Sequence, residues 1–246
     1  MGKNKLAKFA ELATFANVFQ VPYSYVEQIE FDHRGRWRSD VFCNDHPIVL
    51  ELGCGKGEYT VQMALGNQDI NCIGVDIKGA RLHSGAKAAN RLQLKNVAFI
   101  RTSIEGIESF FDSGEVDEIW LTFPDPQMKQ FSKRLTSTFF LKQYVSFLKP
   151  GGVIHLKTDS QFMYAYTQSV VNLNNFAVVA DTENLYASDL LNDTLRITTF
   201  YEKQWVDRGI LIKYLAFRPQ APLEWQEPKR VFAKDAYRSF GRSARE

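Results

Sequence analysis

The chain has 246 residues, of which 45% are hydrophobic and 24% charged, so it can bury a full core and does not have the composition of a disordered chain. Three cysteines without metal-like spacing argue against a disulfide framework, and four scattered histidines argue against a metal site. The net charge of +2 is small, and the sequence contains neither a membrane-spanning stretch nor the apolar segment of a signal peptide. We therefore expect a soluble, cytoplasmic protein.

The sequence divides into a long central domain and two extensions. The N-terminal extension, residues 1–46, mixes basic and aromatic residues. Apolar residues at helical spacing predict a short amphipathic helix before the break at Pro22; they are Leu6, Phe9, Leu12 and Phe15. Residues 47–218 then form one domain, and residues 219–246 a basic C-terminal tail.

Apolar runs alternate with helical patterns along the central domain, as in a parallel sheet with helices on both faces. The predicted strands are Ile48–Leu52, Cys72–Asp76, Val97–Arg101, Glu118–Phe123, Val153–Thr158, Phe176–Ala180 and Ile210–Phe217. The predicted helices are Glu58–Leu65, Gly79–Leu92, Ile104–Phe111, Thr136–Leu148 and Gln161–Leu173. Lys149-Pro150-Gly151-Gly152 predicts a helix stop and a turn, and residues 181–209 are expected to be irregular. This pattern predicts an α/β fold with a seven-stranded, mostly parallel sheet and an antiparallel last strand.

A glycine-rich turn, Glu51-Leu52-Gly53-Cys54-Gly55-Lys56-Gly57, follows the first predicted strand, and Asp76 ends the second. Glycines let a backbone approach a ligand closely, and the second carboxylate can bridge two ribose hydroxyls. The third glycine comes one residue too early for a dinucleotide site, so a dinucleotide oxidoreductase is disfavoured. Two carboxylates suit an ammonium and a ribose but repel a pyrophosphate. The turn therefore favours S-adenosylmethionine, with Glu51, Gly53, Gly55, Gly57 and Asp76 as its contacts.

Further polar groups follow the later strands, where ligands of parallel sheets bind. Ser103 follows the third strand, Phe123-Pro124-Asp125-Pro126 the fourth, and Asp159 the fifth. Each has an ordinary explanation alone: Pro-Asp-Pro makes a rigid turn, and Asp159 can be a helix N-cap. Together they predict a pocket at one edge of the sheet.

A basic loop follows the Pro-Asp-Pro turn, running from Lys129 through Phe131 and Lys133 to Arg134. It is either a solvated loop or a surface that holds the phosphates of a nucleic acid. The C-terminal tail is basic as well; its last eighteen residues carry Lys229, Arg230, Lys234, Arg238, Arg242 and Arg245. Basic segments at both ends and beside the pocket favour a polyanionic partner.

The chain resembles the tRNA (guanine-N7-)-methyltransferase family from about Pro47 to Phe217. The resemblance rests on the glycine turn, Gly74-Val75-Asp76, Phe123-Pro124-Asp125-Pro126, Lys133-Arg134-Leu135, Thr158-Asp159 and Thr199-Phe200-Tyr201-Glu202. It implies a Rossmann-like class I S-adenosylmethionine-dependent methyltransferase that forms 7-methylguanosine in tRNA, at guanosine 46 of the variable loop.

The resemblance also implies residue roles. Glu51, Asp76, Ser103 and Asp125 line the donor pocket, and Lys129, Asp159 and Thr199 to Glu202 contact the substrate. We add Lys133 and Arg134 to the substrate contacts and assign catalysis to Asp125. Four positions depart from the family pattern: Gln127-Met128 replaces Trp-His, Ser103 replaces Asp, and Phe200 replaces Lys.

Guanine N7 is an acceptor with a lone pair, so it needs no general base, and the sequence offers none in its motifs. Two alternatives remain open. A methyltransferase of a protein or small molecule would share the glycine turn, and a non-catalytic RNA-binding protein is compatible with the departures at Ser103, Gln127 and Met128. We expect tRNA as partner, no membrane, no metal, and a monomer or homodimer.

Overall fold

The computed structural model describes residues 3–21 and 30–238 of the chain. Its sheet is built from β1 (Val18–Gln20), β2 (Ile48–Leu52), β3 (Asn71–Val75), β4 (Val97–Arg101), β5 (Val116–Thr122), β6 (Leu148–Thr158), β7 (Ala177–Thr182) and β8 (Lys213–Arg218). The strand order is β1-β4-β3-β2-β5-β6-β8-β7. Among the described strands, β8 alone runs opposite to the others, because it pairs antiparallel with both β6 and β7. The α/β, mostly parallel architecture is thereby confirmed, with an antiparallel last strand.

The helices that surround the sheet are α1 (Lys3–Leu12), α2 (Glu58–Gly66), α3 (Gly79–Arg91), α4 (Thr138–Phe147), α5 (Gln161–Leu173), α6 (Asp193–Arg196) and α7 (Phe200–Val206). A π-helical turn covers Trp37–Phe42, and short 3₁₀ turns cover Ile104–Phe110, Phe131–Lys133, Leu185–Ala187 and Ala236–Arg238. Among the described residues, no helix is long and apolar enough to cross a membrane.

Two hydrophobic clusters hold the layers together, one on each face of the sheet. Successive residues of β2 alternate between them: Leu50 belongs to the first cluster and Val49 to the second. This alternation follows from the opposite directions of neighbouring strand side chains. The first cluster includes Tyr144 of α4 and Met163 of α5, whereas the second includes Leu82 of α3. The helices therefore cover both faces, as predicted.

The sheet has eight described strands, whereas seven were predicted. β1 adds a three-residue edge strand that pairs in parallel with β4. Its residues are all half-buried, so it shows no alternation of exposed and buried positions. A sequence pattern cannot identify a strand of this kind.

Other element boundaries differ from the prediction. β6 begins at Leu148, because this residue pairs with Val116 and the register shifts before Val153 pairs with Glu118. The predicted turn at residues 149–152 is thus an interruption inside β6, with Gly151 at φ 79°. Residues 181–209 were expected to be irregular but contain α6 and α7.

Candidate active site

A pocket of about 680 Å³ opens at the carboxyl ends of β2 to β5. It lies where the strand order reverses, between β2 and β5, as the ligand sites of open α/β sheets do. The structure brings together here these predicted site residues: Glu51, Gly53, Gly55, Asp76, Ser103, Asp125, Lys133, Thr199 and Tyr201. The predicted site residues outside this lining are Gly57, Lys129, Arg134, Asp159, Phe200 and Glu202.

Glu51 lies at the bottom of the pocket and is only 1% exposed. Its carboxylate accepts hydrogen bonds from the Thr60 backbone N–H at 2.9 Å and from the hydroxyls of Thr60 and Thr122. Burial raises the pKa of Glu51 to about 7, although these hydrogen bonds act in the opposite direction. A buried carboxylate with such a pKa is suited to a cationic ligand, which would stabilise its charged form.

Asp76 organises the turn on the other side of the pocket. Its Oδ2 accepts from the Gly55 N–H at 2.9 Å, and its Oδ1 from the Lys78 N–H at 2.6 Å. Gly53 and Gly55 have φ values of 82° and 57°, in the left-handed region that favours glycine. A Cβ built on Gly55 would meet nothing closer than 4.0 Å, so the turn leaves open space for a ligand.

Gly57 serves packing rather than the pocket. A Cβ on this residue would approach Phe99 Cε1 to 2.7 Å and Gly85 Cα to 3.1 Å. Its backbone, at φ 69°, precedes α2 and lies against α3 and β4. The third glycine of the turn thus allows α2 and α3 to meet closely.

The end of β4 supplies two hydroxyls to the pocket. Thr102 Oγ1 is buried and has no hydrogen-bond partner among the described residues. The Ser103 hydroxyl donates to Glu105. An unpartnered buried hydroxyl is costly unless a ligand satisfies it. The acidic ends of β2 and β3, the open glycine turn and Thr102 together fit a donor with an ammonium, a ribose and polar base edges.

Asp125 is exposed at the mouth of the pocket, held between two prolines. Its Oδ1 accepts from the Gln127 N–H at 3.0 Å. Phe123, which precedes the turn, has φ 51°, a strained value for a bulky residue. Its N–H donates to the Lys157 carbonyl at 2.8 Å, which fixes the turn to β6. The turn therefore presents its carboxylate in a fixed place.

The basic loop is divided between outward and inward residues. Lys129 and Lys133 are exposed, and Lys133 lines the pocket. Arg134 is 8% exposed, with its guanidinium 4.7 Å from the Phe162 ring centre and 4.4 Å from that of Tyr166. It also donates to the Gln127 carbonyl at 3.2 Å. Arg134 thus supports the loop from inside. The exposed Lys129 and Lys133, and not Arg134, are available for phosphate contacts.

The Thr199–Glu202 segment begins α7. Thr199 is its N-cap and forms a capping box with Glu202. Tyr201 lines the pocket, and the exposed Phe200 ring lies 4.3 Å from Lys56 Nζ. Thr199, Tyr201 and, further along α7, Trp205 form one wall of the pocket. Glu202, however, is fully buried and lies behind this wall.

Lys157 lies next to the predicted site residue Glu202 and was not itself predicted as a site residue. It is fully buried and forms an ion pair of 2.8 Å with Glu202. Its ammonium also donates to the carbonyls of Leu195 and Ile197. Burial lowers the pKa of Lys157, against the charge of Glu202. A lysine directly after Leu156, inside the predicted strand Val153–Thr158, was the available signal.

Asp159 is fully buried at the start of α5 and is not part of the pocket lining. The Tyr237 hydroxyl donates to its Oδ2 at 2.7 Å. The helix N-cap is the neighbouring Ser160, whose Oγ accepts from the Met163 N–H. Asp159 is therefore not the N-cap of α5, which is the residue after it.

The described residues contain no group of three or more histidine, cysteine, aspartate or glutamate side chains that could hold a metal.

The chain is similar to known methyltransferases over most of its length. A family model described as "Putative methyltransferase" matches residues 45–215. A tRNA (guanine-N(7)-)-methyltransferase of Bacteroides thetaiotaomicron is 55% identical over 245 residues, covering 100% of this chain and 97% of the relative. Proteins with the same name from Porphyromonas gingivalis and Cytophaga hutchinsonii are 51% and 36% identical, covering 95% and 88% of this chain and 98% of each relative.

Solved structures of methyltransferases share the fold. The 16S rRNA methyltransferase KamB superposes with a TM-score of 0.57 at 14% identity, covering 77% of this chain and 94% of that one. A structure titled as an antibiotic-related methyltransferase gives a TM-score of 0.56 at 15% identity, covering 80% and 98%. These matches establish a class I methyltransferase fold.

Proposed function

The chain belongs to the tRNA (guanine-N(7)-)-methyltransferase family, and from this premise we propose that it transfers a methyl group from S-adenosylmethionine to N7 of a guanine in tRNA. The observation that carries the proposal is the arrangement of three carboxylates in one pocket. Glu51 and Asp76 lie at its inner end, and Asp125 is exposed at its mouth beside Lys133 and Tyr201. The inner pair suits the donor, and the outer group suits a base.

Glu51 is the residue that would hold the ammonium of the donor, Asp76 its ribose, and Thr102 and Ser103 its adenine edge. S-adenosylmethionine supplies an electrophilic methyl group when it is bound. The hydroxyls of Thr60 and Thr122 keep the Glu51 carboxylate turned into the pocket. Positioning of this kind can supply up to about 7–11 kcal/mol of a reaction barrier.

Asp125 is the proposed catalytic residue. Its carboxylate would accept hydrogen bonds from N1 and the exocyclic amino group of guanine, which orients N7 towards the donor side. The base gains positive charge as N7 is alkylated, so a fixed carboxylate stabilises the transition state more than the ground state. No proton has to leave N7, which agrees with a pocket lining that contains no histidine among the described residues.

The proposed acceptor is guanosine 46 in the variable loop, in keeping with the family resemblance. Lys129, Lys133 and Lys56 surround the mouth with positive charge, and Phe200 and Tyr201 offer rings to an unstacked base. Asp159 and Glu202, which the resemblance assigns to the substrate, would act from behind this wall. The proposal places the reaction in the cytoplasm, with the chain as a monomer or homodimer.

Three tRNA transcripts test the proposal: an unmodified tRNA, the same tRNA with guanosine 46 changed to adenosine, and one with 7-deazaguanosine in place of guanosine. The last transcript has carbon where N7 would be. Labelled methyl should enter the first transcript alone. Equal labelling of the second would overturn position 46, and labelling of the third would overturn N7 as the acceptor.

A further inference from the structure

The C-terminal strap, defined as residues 225–237, runs along α5 from its last turn back to its first. Near the end of the helix, Gln226 and Asn174 exchange two hydrogen bonds of 2.8 Å. Glu227 then accepts from the hydroxyls of Thr138 and Tyr166. The sequence indicated only an extended basic tail here, because these partners are 50 to 90 residues away along the chain.

The strap ends on the first turn of α5, directly behind the pocket. Phe232 packs edge-on against Phe162 and Tyr166, at centroid distances of 5.9 Å and 5.6 Å. Asp235 is 5% exposed and accepts from the Phe162 N–H at 3.1 Å and from the Ser160 hydroxyl. A carboxylate at a helix N-terminus also interacts favourably with the helix dipole. Asp235 thereby anchors the strap two residues before Tyr237.

Tyr237 contacts two elements that meet behind the pocket. Its hydroxyl donates to Asp159 Oδ2 at 2.7 Å, and its ring lies edge-on to Trp205, 5.4 Å between centroids. Trp205 belongs to α7 and lines the pocket, whereas Asp159 joins β6 to α5. The Arg208 guanidinium lies 5.0 Å from the Trp205 ring and 5.9 Å from the Tyr237 ring. A single side chain therefore links the wall formed by α7 to the end of β6.

We propose that Tyr237 is a positioning residue for methyl transfer, which holds Trp205 in the substrate wall of the pocket by bonding to the buried Asp159. This inference rests on the proposed function. The inner end of the pocket is formed by Glu51, Asp76 and the glycine turn, whereas Tyr237 contacts Asp159, Trp205 and Arg208. The strap therefore acts on the substrate side and leaves donor binding unchanged.

Tyr237→Phe removes the hydroxyl that bonds to Asp159 and keeps the ring against Trp205. Asp235→Asn weakens the bonds that hold the strap on the first turn of α5. The matched control is Tyr164→Phe: Tyr164 lies on α5, and its hydroxyl also donates to an aspartate, but this aspartate is Asp181 on the edge strand β7. We expect Tyr237→Phe to lower kcat/KM for tRNA about tenfold, the effect of one lost bond to a charged group. The dissociation constant of S-adenosylmethionine should stay at the wild-type value, and Tyr164→Phe should keep wild-type kcat/KM.

The melting temperatures separate positioning from folding. We expect Tyr237→Phe and Tyr164→Phe to lower Tm to a similar extent, so a loss of activity in the first alone is specific. Wild-type kcat/KM in Tyr237→Phe would overturn the inference, and so would an increase, which would make the strap an obstacle to tRNA. A wild-type chain inactive on tRNA would instead overturn the proposed function.

Discussion

At the scale of single residues, the carboxylates of the pocket differ in their surroundings. Glu51 is buried among hydroxyls, whereas Asp125 stands exposed between two prolines. Burial penalises the charged form of Glu51 and leaves it dependent on a cationic partner. The exposed and rigid Asp125 is available to a large substrate. The two positions thus suit a small donor inside and a base outside.

Replacement of Asp125 by Ala tests the proposed catalytic group. The loss of one preorganised carboxylate should lower kcat by about a hundredfold, while donor affinity changes little. Single-turnover methyl transfer to tRNA measures this directly. Asp69→Ala, an exposed carboxylate between α2 and β3, is the control and should keep its rate. A rate near wild type in Asp125→Ala would remove this residue from the mechanism.

The raised pKa of Glu51 makes donor binding dependent on pH. Its carboxyl has an ordinary pKa of 4.5 and one of about 7 in the folded chain. The folded state therefore binds this proton more tightly, and the stability contributed by the group falls as pH rises from about 4.5 to 7. A donor ammonium prefers the carboxylate, so donor affinity should instead rise with pH up to about 7, by at most about tenfold per unit.

Calorimetry at pH 6, 7 and 8 measures the donor affinity and the proton released on binding. Glu51→Gln should bind more weakly and show a flatter profile over this range. The same pH dependence in wild type and Glu51→Gln would assign the titration to another group.

Lys157 and Glu202 form the buried ion pair that fixes the start of α7. Removal of one partner leaves a buried charge unpaired, so Lys157→Met should lower the free energy of unfolding by about 3–5 kcal/mol. The double variant Lys157→Met/Glu202→Gln should recover part of this loss. Urea unfolding provides the values. A single variant within about 1 kcal/mol of wild type would show that the pair contributes little.

At the scale of elements, the sequence predicted what depends on local pattern. Strands β2 and β3 are buried at every position, so their sequences contain the short apolar runs Ile48–Leu50 and Cys72–Val75. The glycines and Asp76 were predictable because they directly follow these strands. The inward turn of Arg134 and the burial of Glu202 were not, because they depend on Phe162, Tyr166 and Lys157, which are distant along the chain.

The close contact of the glycine turn with α3 gives a test at this scale. Gly57→Ala should cost about 1–2 kcal/mol for its left-handed backbone and a further 1–3 kcal/mol or so for the collision with Phe99. Gly114 has the same φ of 69° but open space around it, so Gly114→Ala should show the backbone cost alone. Equal losses of stability, measured by urea unfolding, would contradict this account of the packing.

At the scale of the whole molecule, one edge of the sheet collects segments from almost the entire chain. The glycine turn and Asp76 form the inner pocket, the Pro-Asp-Pro turn and basic loop its mouth, and α7 its outer wall. The C-terminal strap contacts that wall through the ring of Tyr237 and is held on the first turn of α5 by Asp235. In the proposed function, the N-terminal half of the sheet holds the donor and the C-terminal half the tRNA, and the two halves meet at the point where the strand order reverses.

Transfer of labelled methyl from S-adenosylmethionine to unmodified tRNA, followed by chemical cleavage of the RNA at 7-methylguanosine, tests the proposed reaction, donor and substrate together. We expect label in the RNA and a single cleavage site. Donor binding without transfer to tRNA, or label at a base that resists this cleavage, would overturn the proposed reaction.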